Sequence, residues 1–203
     1  MGASKRIAEI YVSYKSSSSK TQIITTRFGN VLGSSGSVVQ IFNEQIANGG
    51  PVTLTHPEIT RFFMTITEAC QLVLEAGATG SGGEIYVFDM GDPVKIDDLA
   101  RRLIKLSGNK IKTSKDENGI EIIYTGLRPG EKLYEELLVN EEDVQTNHPK
   151  IFVDTSKTNI RKNELLEMIT NIEKVTSDGD LITLKKILAH YAEYKEENIS
   201  INS

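Results

Sequence analysis

The residues of this chain best suited to hold an anion lie between Thr21 and Ser37, where a β-rich run passes into a loop of glycines and serines that opens a helix. Gly29, Gly33 and Gly36 allow tight turns and close approach, and amides at the start of the following helix point toward negative charge. A phosphate is the first candidate ligand. Whether it belongs to a dinucleotide cofactor or to a substrate is decided by the residues downstream. The spacing Gly-x3-Gly-x2-Gly matches a dinucleotide fingerprint only loosely. About 20 residues on, where an acid should hold a ribose hydroxyl, stands Val52-Thr53-Leu54-Thr55. The cofactor reading therefore loses ground to a substrate phosphate, or to glycines that serve the turns alone.

Other reactive side chains offer less. His56, His148 and His190 share no ligand spacing with cysteines or acids, so no metal site is expected. The single cysteine, Cys70, lies in an apolar run and is expected to be a buried structural thiol. Without a disulfide framework the chain suits a reducing, cytoplasmic compartment. Its 23 Lys and Arg against 28 Asp and Glu, a net charge of -5 over 203 residues, give nucleic acid no general reason to bind. No apolar run approaches the length of about 18 residues that reads as a membrane span, and the N-terminus has no signal core.

The elements that must position the loop alternate between helix and strand. Apolar spacing predicts helices over 3–14, 38–47 and 67–76, and strands over 23–28, 52–54 and 85–89. Asp97 is expected to cap a helix running to Leu106 and closed by Gly108. A strand over 121–124, a helix over 131–139 and a strand over 151–153 follow. Two amphipathic helices finish the chain, one carrying Leu165, Leu166, Ile169 and Ile172, the other starting at Asp180 with Leu181, Leu184, Leu188 and Tyr191. The alternation predicts an α/β fold with a mostly parallel sheet.

Four segments occur in order: Arg27-Phe-Gly-Asn30-Val-Leu-Gly33, Gly49-Gly50-Pro51-Val-Thr-Leu-Thr-His56-Pro57, Thr60-Arg61-Phe-Phe-Met-Thr65-Ile66, and Arg128-Pro129-Gly130-Glu131-Lys132. Together they resemble the C-terminal part of nucleotide-sugar dehydratases and epimerases of the extended short-chain dehydrogenase/reductase superfamily. The nearest match is the bacterial polysaccharide-biosynthesis branch that includes UDP-N-acetylglucosamine 4,6-dehydratases. The resemblance spans roughly 1–148. It implies the C-terminal portion of an NAD(P)-binding Rossmann-type fold, with residual Rossmann elements and the nucleotide-sugar region over 1–158 and a helical extension over 159–203. It also implies that Asn30 meets a UDP-sugar near its diphosphate, that Arg61 and Arg128 hold the diphosphate oxygens, and that Glu131 accepts from ribose hydroxyls while the strand Thr53 to Thr55 lies against the base. The plain alternatives are solvated arginines and a glutamate that dresses a helix.

Met1 and Lys5 resemble the family's Tyr-x-x-x-Lys pair with methionine in the tyrosine position. In that pattern the lysine contacts the nicotinamide ribose and lowers the pKa of the tyrosine, which exchanges the proton. Methionine cannot exchange one. Lys5 keeps a catalytic and cofactor-side role only with NAD or NADP present, and otherwise pairs with Glu9 one turn on. The first strands, the pyrophosphate loop and the upstream catalytic segment of the family pattern have no counterpart in these 203 residues, which leads to the expectation of a fragment inactive alone. The other readings are a non-catalytic nucleotide-sugar-binding module and an assembly module, with an open sheet edge favouring a homo-oligomer.

Overall fold

The computed structural model describes residues 2–114, 118–135, 142–155 and 160–192. Its helices are α1 (Gly2–Ser16), α2 (Val38–Ala47), α3 (Ile66–Thr79), α4 (Ile96–Leu106), α5 (Lys162–Ser177) and α6 (Leu181–Ala192). The strands are β1 (Thr25–Arg27), β2 (Asn30–Val31), β3 (Val52–Leu54), β4 (Thr60–Arg61), β5 (Phe63–Met64), β6 (Ile85–Phe88), β7 (Val94–Lys95), β8 (Ile122–Tyr124), β9 (Val144–Gln145) and β10 (Ile151–Val153).

The main sheet has the order β1-β6-β10-β9. Its centre is β6, whose run Ile85-Tyr86-Val87-Phe88 is buried throughout, as a strand covered on both faces must be. β1 lies parallel to β6, with Thr25 opposite Ile85 and Arg27 opposite Val87. β10 runs antiparallel to both β6 and β9, so the sheet is mixed rather than mostly parallel. Only residues 146–150 join β9 to β10, too few for the crossover that a parallel pair needs. That turn is closed by the Thr146 hydroxyl, which donates to the Ile151 carbonyl at 2.8 Å.

Three apolar clusters hold the elements. α3 lays Ala69, Leu72 and Ala76 on Tyr86, Phe88 and Ile151 of the sheet, and Phe28 stacks on Phe88 with ring centroids 5.5 Å apart. α2 and α4 enclose β3 through Phe42, Ile46, Val52, Leu54, Ala100 and Ile104. Ile10 of α1 is fully buried against Ile160, Leu165 and Met168, so the C-terminal helices cover the first one.

Several sequence expectations change. Asp97 is not a cap: Lys95 occupies that position, and Asp97 sits inside α4, accepting from Arg101 Nε at 2.6 Å and from the Tyr124 hydroxyl at 2.6 Å. Residues 131–135 are not helical, because Glu131 and Glu135 turn back to bond the Arg128 and Phe62 backbone amides, and 136–139 lie outside the described residues. Cys70 is exposed, since the packed face of α3 runs through its neighbour Ala69 and then Leu72 and Ala76. Glu9 pairs with Arg6 and Arg27, not with Lys5. The start of the last helix at Asp180 agrees: its Oδ1 accepts from the Ile182 and Thr183 amides at 3.1 and 3.0 Å.

Arg27 ties three segments together. Its Nε and Nη2 donate to the Glu9 carboxylate of α1 at 2.6 and 2.7 Å, and Nη1 donates to Asp154, just past β10, at 2.5 Å. Burial alone would raise the Glu9 carboxyl, but Arg27 and Arg6 outweigh it and hold it below the ordinary glutamate range. A carboxyl depressed on folding adds stability above its unfolded pKa, near 4.3, and loses it as pH falls further. Arg27→Ala leaves Glu9 and the buried Asp154 without that countercharge and should lower unfolding free energy by about 3 kcal/mol in urea titrations at pH 7. Glu9→Gln should make stability less steep with pH below about 4.3, because the titrating group is removed.

Candidate functional site

The loop singled out in the sequence forms one wall of a cleft of about 560 Å³. Gly29 precedes it, where a Cβ would come within 3.0 Å of the Met90 sulfur and 3.2 Å of the Phe62 carbonyl oxygen. The glycine there lets the chain press onto Phe62. Asn30 then donates to that carbonyl twice, from its backbone N at 3.0 Å and from Nδ2 at 3.2 Å, which fixes its amide and leaves Oδ1 available to accept. Gly33 and Gly36 take φ of 75° and 70°, backbone that favours glycine, and turn the chain toward α2. Gln40 clamps this turn: its Oε1 accepts from Gly36 N at 3.0 Å and its Nε2 donates to the Gly33 carbonyl at 3.4 Å.

Ser37 is the N-cap of α2 but makes no side-chain cap bond. Its Oγ is buried without a hydrogen-bond partner, and Ser37 lines the cleft. The first amides of a helix have no intrahelical acceptor, so the start of α2 presents uncapped N–H groups and a hydroxyl together. Such an arrangement is able to accept an anion, with the positive end of the helix dipole behind it.

The same cleft is also lined by Arg61 of β4, Arg128 and Glu131. Arg61 Nη1 donates to the Thr60 carbonyl at 2.7 Å, and Nη2 lies 3.5 Å from Glu131 Oε1. The same Oε1 accepts from the Thr55 hydroxyl at 3.2 Å, while Oε2 accepts from the Arg128 amide at 3.1 Å. Glu131 thus aims Arg61 and ties down the segment bearing Arg128, which is exposed. Thr53 on β3 completes the lining, held by Gln45: its backbone N donates to Oε1 at 3.1 Å, and its Oγ1 accepts from Nε2 at 2.8 Å.

Asn30, Thr53, Arg61, Arg128 and Glu131 therefore share one cleft. Lys5 does not: it is exposed on α1 and absent from the lining, and Met1 lies outside the described residues. Sequence reasoning gave no role of its own to Ser37, at the end of the singled-out loop, and passed over Gln40 and Gln45; Thr55 it placed in the strand against the base, not on Glu131. The spacing Ser37-x-x-Gln40 before an apolar run is a capping-box signal and could have drawn attention to the first two. A second cleft of about 690 Å³, lined by Arg101, Lys112 and Tyr124, is larger, but its cations are neutralised by Asp97 and Glu121. Among the described residues no cluster of His, Cys, Asp and Glu could hold a metal, and no helix is long and apolar enough to cross a membrane.

The fold is that of part of the Rossmann-type nucleotide-sugar dehydratases and epimerases: the chain covers 39% of a solved dTDP-glucose 4,6-dehydratase of Bacillus anthracis at a TM-score of 0.51 and 42% of a UDP-glucose 4-epimerase of Thermus thermophilus at 0.52. The chain belongs to the polysaccharide biosynthesis protein family, whose model matches residues 1–156. Among curated relatives, the capsular polysaccharide biosynthesis protein CapD of Staphylococcus aureus is 58% identical over 154 residues, covering 75% of this chain and 25% of CapD. A UDP-glucose 4-epimerase of Rickettsia rickettsii is 39% identical over 145 residues, 70% of this chain and 40% of that one. The X-ray structure of Pen from Bacillus thuringiensis superposes with a TM-score of 0.61 at 31% identity, covering 81% of this chain and 55% of Pen. The chain thus spans about a quarter of the length of CapD.

An N-cap serine replaced by alanine ordinarily costs about 1 kcal/mol. Because the Ser37 hydroxyl is buried and makes no bond, Ser37→Ala should instead leave the protein unchanged or more stable by up to about 1 kcal/mol. Thermal melts in an anion-poor buffer give the sign directly, and a loss near 1 kcal/mol would show that Ser37 caps α2 after all.

Proposed function

We propose that the cleft holds the diphosphate of a UDP-sugar and that the chain serves nucleotide-sugar modification in polysaccharide biosynthesis, in the manner of a UDP-N-acetylglucosamine 4,6-dehydratase. The observation that carries this reading is the uncapped start of α2, with the orphaned Ser37 hydroxyl, in one cleft with Arg61 and Arg128. A diphosphate needs donors on two sides. Here backbone amides and a hydroxyl supply one, and two planar guanidinium groups supply the other. Asn30, fixed by Phe62, would stand where phosphate gives way to sugar, and Glu131 would accept from ribose hydroxyls. Thr53 would lie beside the base. The kinship with a capsular polysaccharide protein supports the polysaccharide setting.

In a dehydratase reaction C4 of the sugar would be oxidised transiently while water is lost across C5 and C6, with no net oxidation. The cofactor supplies reversible hydride transfer, and the transient ketone makes the C5 proton removable. Lys5 is the one residue of this chain that the family pattern puts on the cofactor side. A single exposed lysine outside the cleft does not make a dinucleotide site, and the roles of these residues do not run through NAD. We assign them binding and orientation: 1–158 to the nucleotide-sugar region and 159–203 to a helical cover. A 4-epimerase is the second reading, favoured by the Rickettsia relative. The two differ in the fate of the ketone, not in the diphosphate contacts.

Calorimetric titration of the 203-residue chain with UDP and UDP-N-acetylglucosamine, without NAD, tests the reading. Both should bind, Arg61→Ala and Arg128→Ala should each weaken binding roughly tenfold or more, and Ser37→Ala by a few-fold. Absence of heat at millimolar ligand would sink the proposal. With NAD added, the chain alone should form neither a 4-keto-6-deoxy sugar nor the C4 epimer, because Lys5 is the one cofactor-side residue of the family pattern within these 203 residues. Mass spectrometry and NMR of the sugar detect either product.

A further inference from the structure

Met90 stands just past β6, and its thioether is pressed against the residue that introduces Asn30. Gly29 N donates to the Met90 sulfur at 2.7 Å, and a Cβ on Gly29 would meet that sulfur at 3.0 Å and the Phe62 carbonyl oxygen at 3.2 Å. The gap is too tight for a methyl group unless its neighbours give way. Neither side of the contact steps back freely. On one side the Phe62 carbonyl accepts from both the backbone N and Nδ2 of Asn30. On the other, Asp89 N donates to the Lys150 carbonyl at 3.0 Å and Asp89 Oδ1 accepts from Gly91 N at 2.9 Å, so the turn that carries Met90 is fixed. Met90 also differs from the other methionines in its surroundings. Of the four in the chain, Met64 and Met168 are buried, at 2% and 0% exposure, and Met1 lies outside the described residues. Met90 is half-buried, packed against the sheet cluster.

We propose that Met90 is an oxidative modification site whose sulfoxide unseats Gly29 and Asn30 and so weakens the hold of the cleft on phosphate ligands. Hydrogen peroxide supplies the oxygen: a sulfur lone pair forms the S–O bond as the O–O bond breaks, and the displaced oxygen leaves as water. Sulfur is oxidised by two electrons and the peroxide is reduced by two. The thioether is a weak acceptor, whereas the sulfoxide is a polar, chiral group in which the sulfur is electron-poor and the oxygen accepts. That sulfur no longer accepts from Gly29. An oxygen pointing at the Gly29 N–H needs room where even a methyl carbon would crowd its neighbours, so Gly29 must move away. An oxygen pointing the other way enters the apolar cluster that Met90 packs against, where an unpaired polar atom is costly. Either outcome disturbs the seat of Asn30 on Phe62. The effect on ligands rests on the nucleotide-diphosphate reading of the cleft, and the modification itself does not.

The test treats the full 203-residue chain with hydrogen peroxide. Peptide mass spectrometry locates the added oxygen, NMR follows the Gly29 and Asn30 amide signals, and calorimetry measures UDP and inorganic pyrophosphate binding. Met90 should be oxidised about tenfold faster than Met64 and Met168, because susceptibility follows exposure. As it is, the Gly29 and Asn30 signals should shift and both ligands should bind roughly tenfold more weakly, a loss that methionine sulfoxide reductases A and B together reverse. Met90→Leu has no sulfur to oxidise, and peroxide should not alter its affinity. That variant retains Met1 and the exposed Cys70, and so separates their oxidation from that of Met90. Oxidation of Met90 no faster than of the buried pair overturns the proposal, as do unmoved Gly29 and Asn30 signals. Unchanged affinity after oxidation, a loss that the reductases leave in place, or an equal loss in Met90→Leu does the same. If the untreated chain binds neither ligand, the diphosphate reading falls, and the mass and NMR readouts still decide whether Met90 is modified and displaces Gly29.

Discussion

The guanidinium of Arg27 is the constraint on which the cleft depends. It ends β1, and Gly29 and Asn30 follow within three residues, so any latitude in the direction of β1 would be passed straight to the loop. Hydrophobic contacts alone would not remove it, because they are non-directional. A planar fork with one carboxylate on α1 and another just beyond β10 has only one satisfactory arrangement. Asp154 is nearly buried and Glu9 little less so, and such charges are costly unless paired. The ion triad therefore acts less as a source of net stability than as a penalty on every other placement of α1, β1 and β10. From Asp154 the chain continues to α5 and α6, which close over Ile10.

How far the architecture was legible depends on the range of the contacts that decide it. α2 and β6 were plain because their patterns are local: a helical apolar face ended by Asn48-Gly49-Gly50-Pro51 in one, an unbroken apolar run in the other. The two-residue strands β2, β4, β5 and β7 were invisible. Each exists only because a distant segment supplies the partner, as Phe63 does for Asn30 and Val94 for Arg61. Asp97 misled for a similar reason. Its position suited a cap, but a phenol 27 residues away and an arginine one turn on claimed the carboxylate. At Cys70 the apolar composition of α3 was right and its phase was not. The stripe at Ala69, Leu72 and Ala76 leaves the next residue outside.

The candidate site shows the same division. Motif order brought out Asn30, Thr53, Arg61, Arg128 and Glu131, which the fold gathers into one cleft. Gln40 and Gln45, which help orient them, were missed, because they carry no chemistry of their own until the chain folds. Each acts by occupying some of a neighbour's hydrogen-bonding groups and leaving others to the cleft. Gln40 spends its amide on the glycine turn, and Ser37, which makes no side-chain bond, leaves the amides at the start of α2 uncapped. Phe62 fixes Asn30 through a carbonyl, and so through the donor end of its amide.

Glu131 raises the one apparent contradiction, a carboxylate beside the arginine proposed to hold an anion. Its separation from Arg61 Nη2 is 3.5 Å, and about a fifth of each side chain is open to solvent. Pairs that reach solvent contribute little, roughly 0–1 kcal/mol. Glu131 is held more firmly by the Thr55 hydroxyl and the Arg128 amide, neither of which an incoming phosphate would need. Arg61 in turn keeps Nη1 on the Thr60 carbonyl, which fixes the plane of the fork. A diphosphate entering between Arg61 and the start of α2 would therefore give up one weak contact and meet a guanidinium already oriented. The carboxylate would stay with its neutral donors, close enough to accept hydroxyls from the ligand. An acidic residue is compatible with the proposed diphosphate cleft because its stronger partners are uncharged.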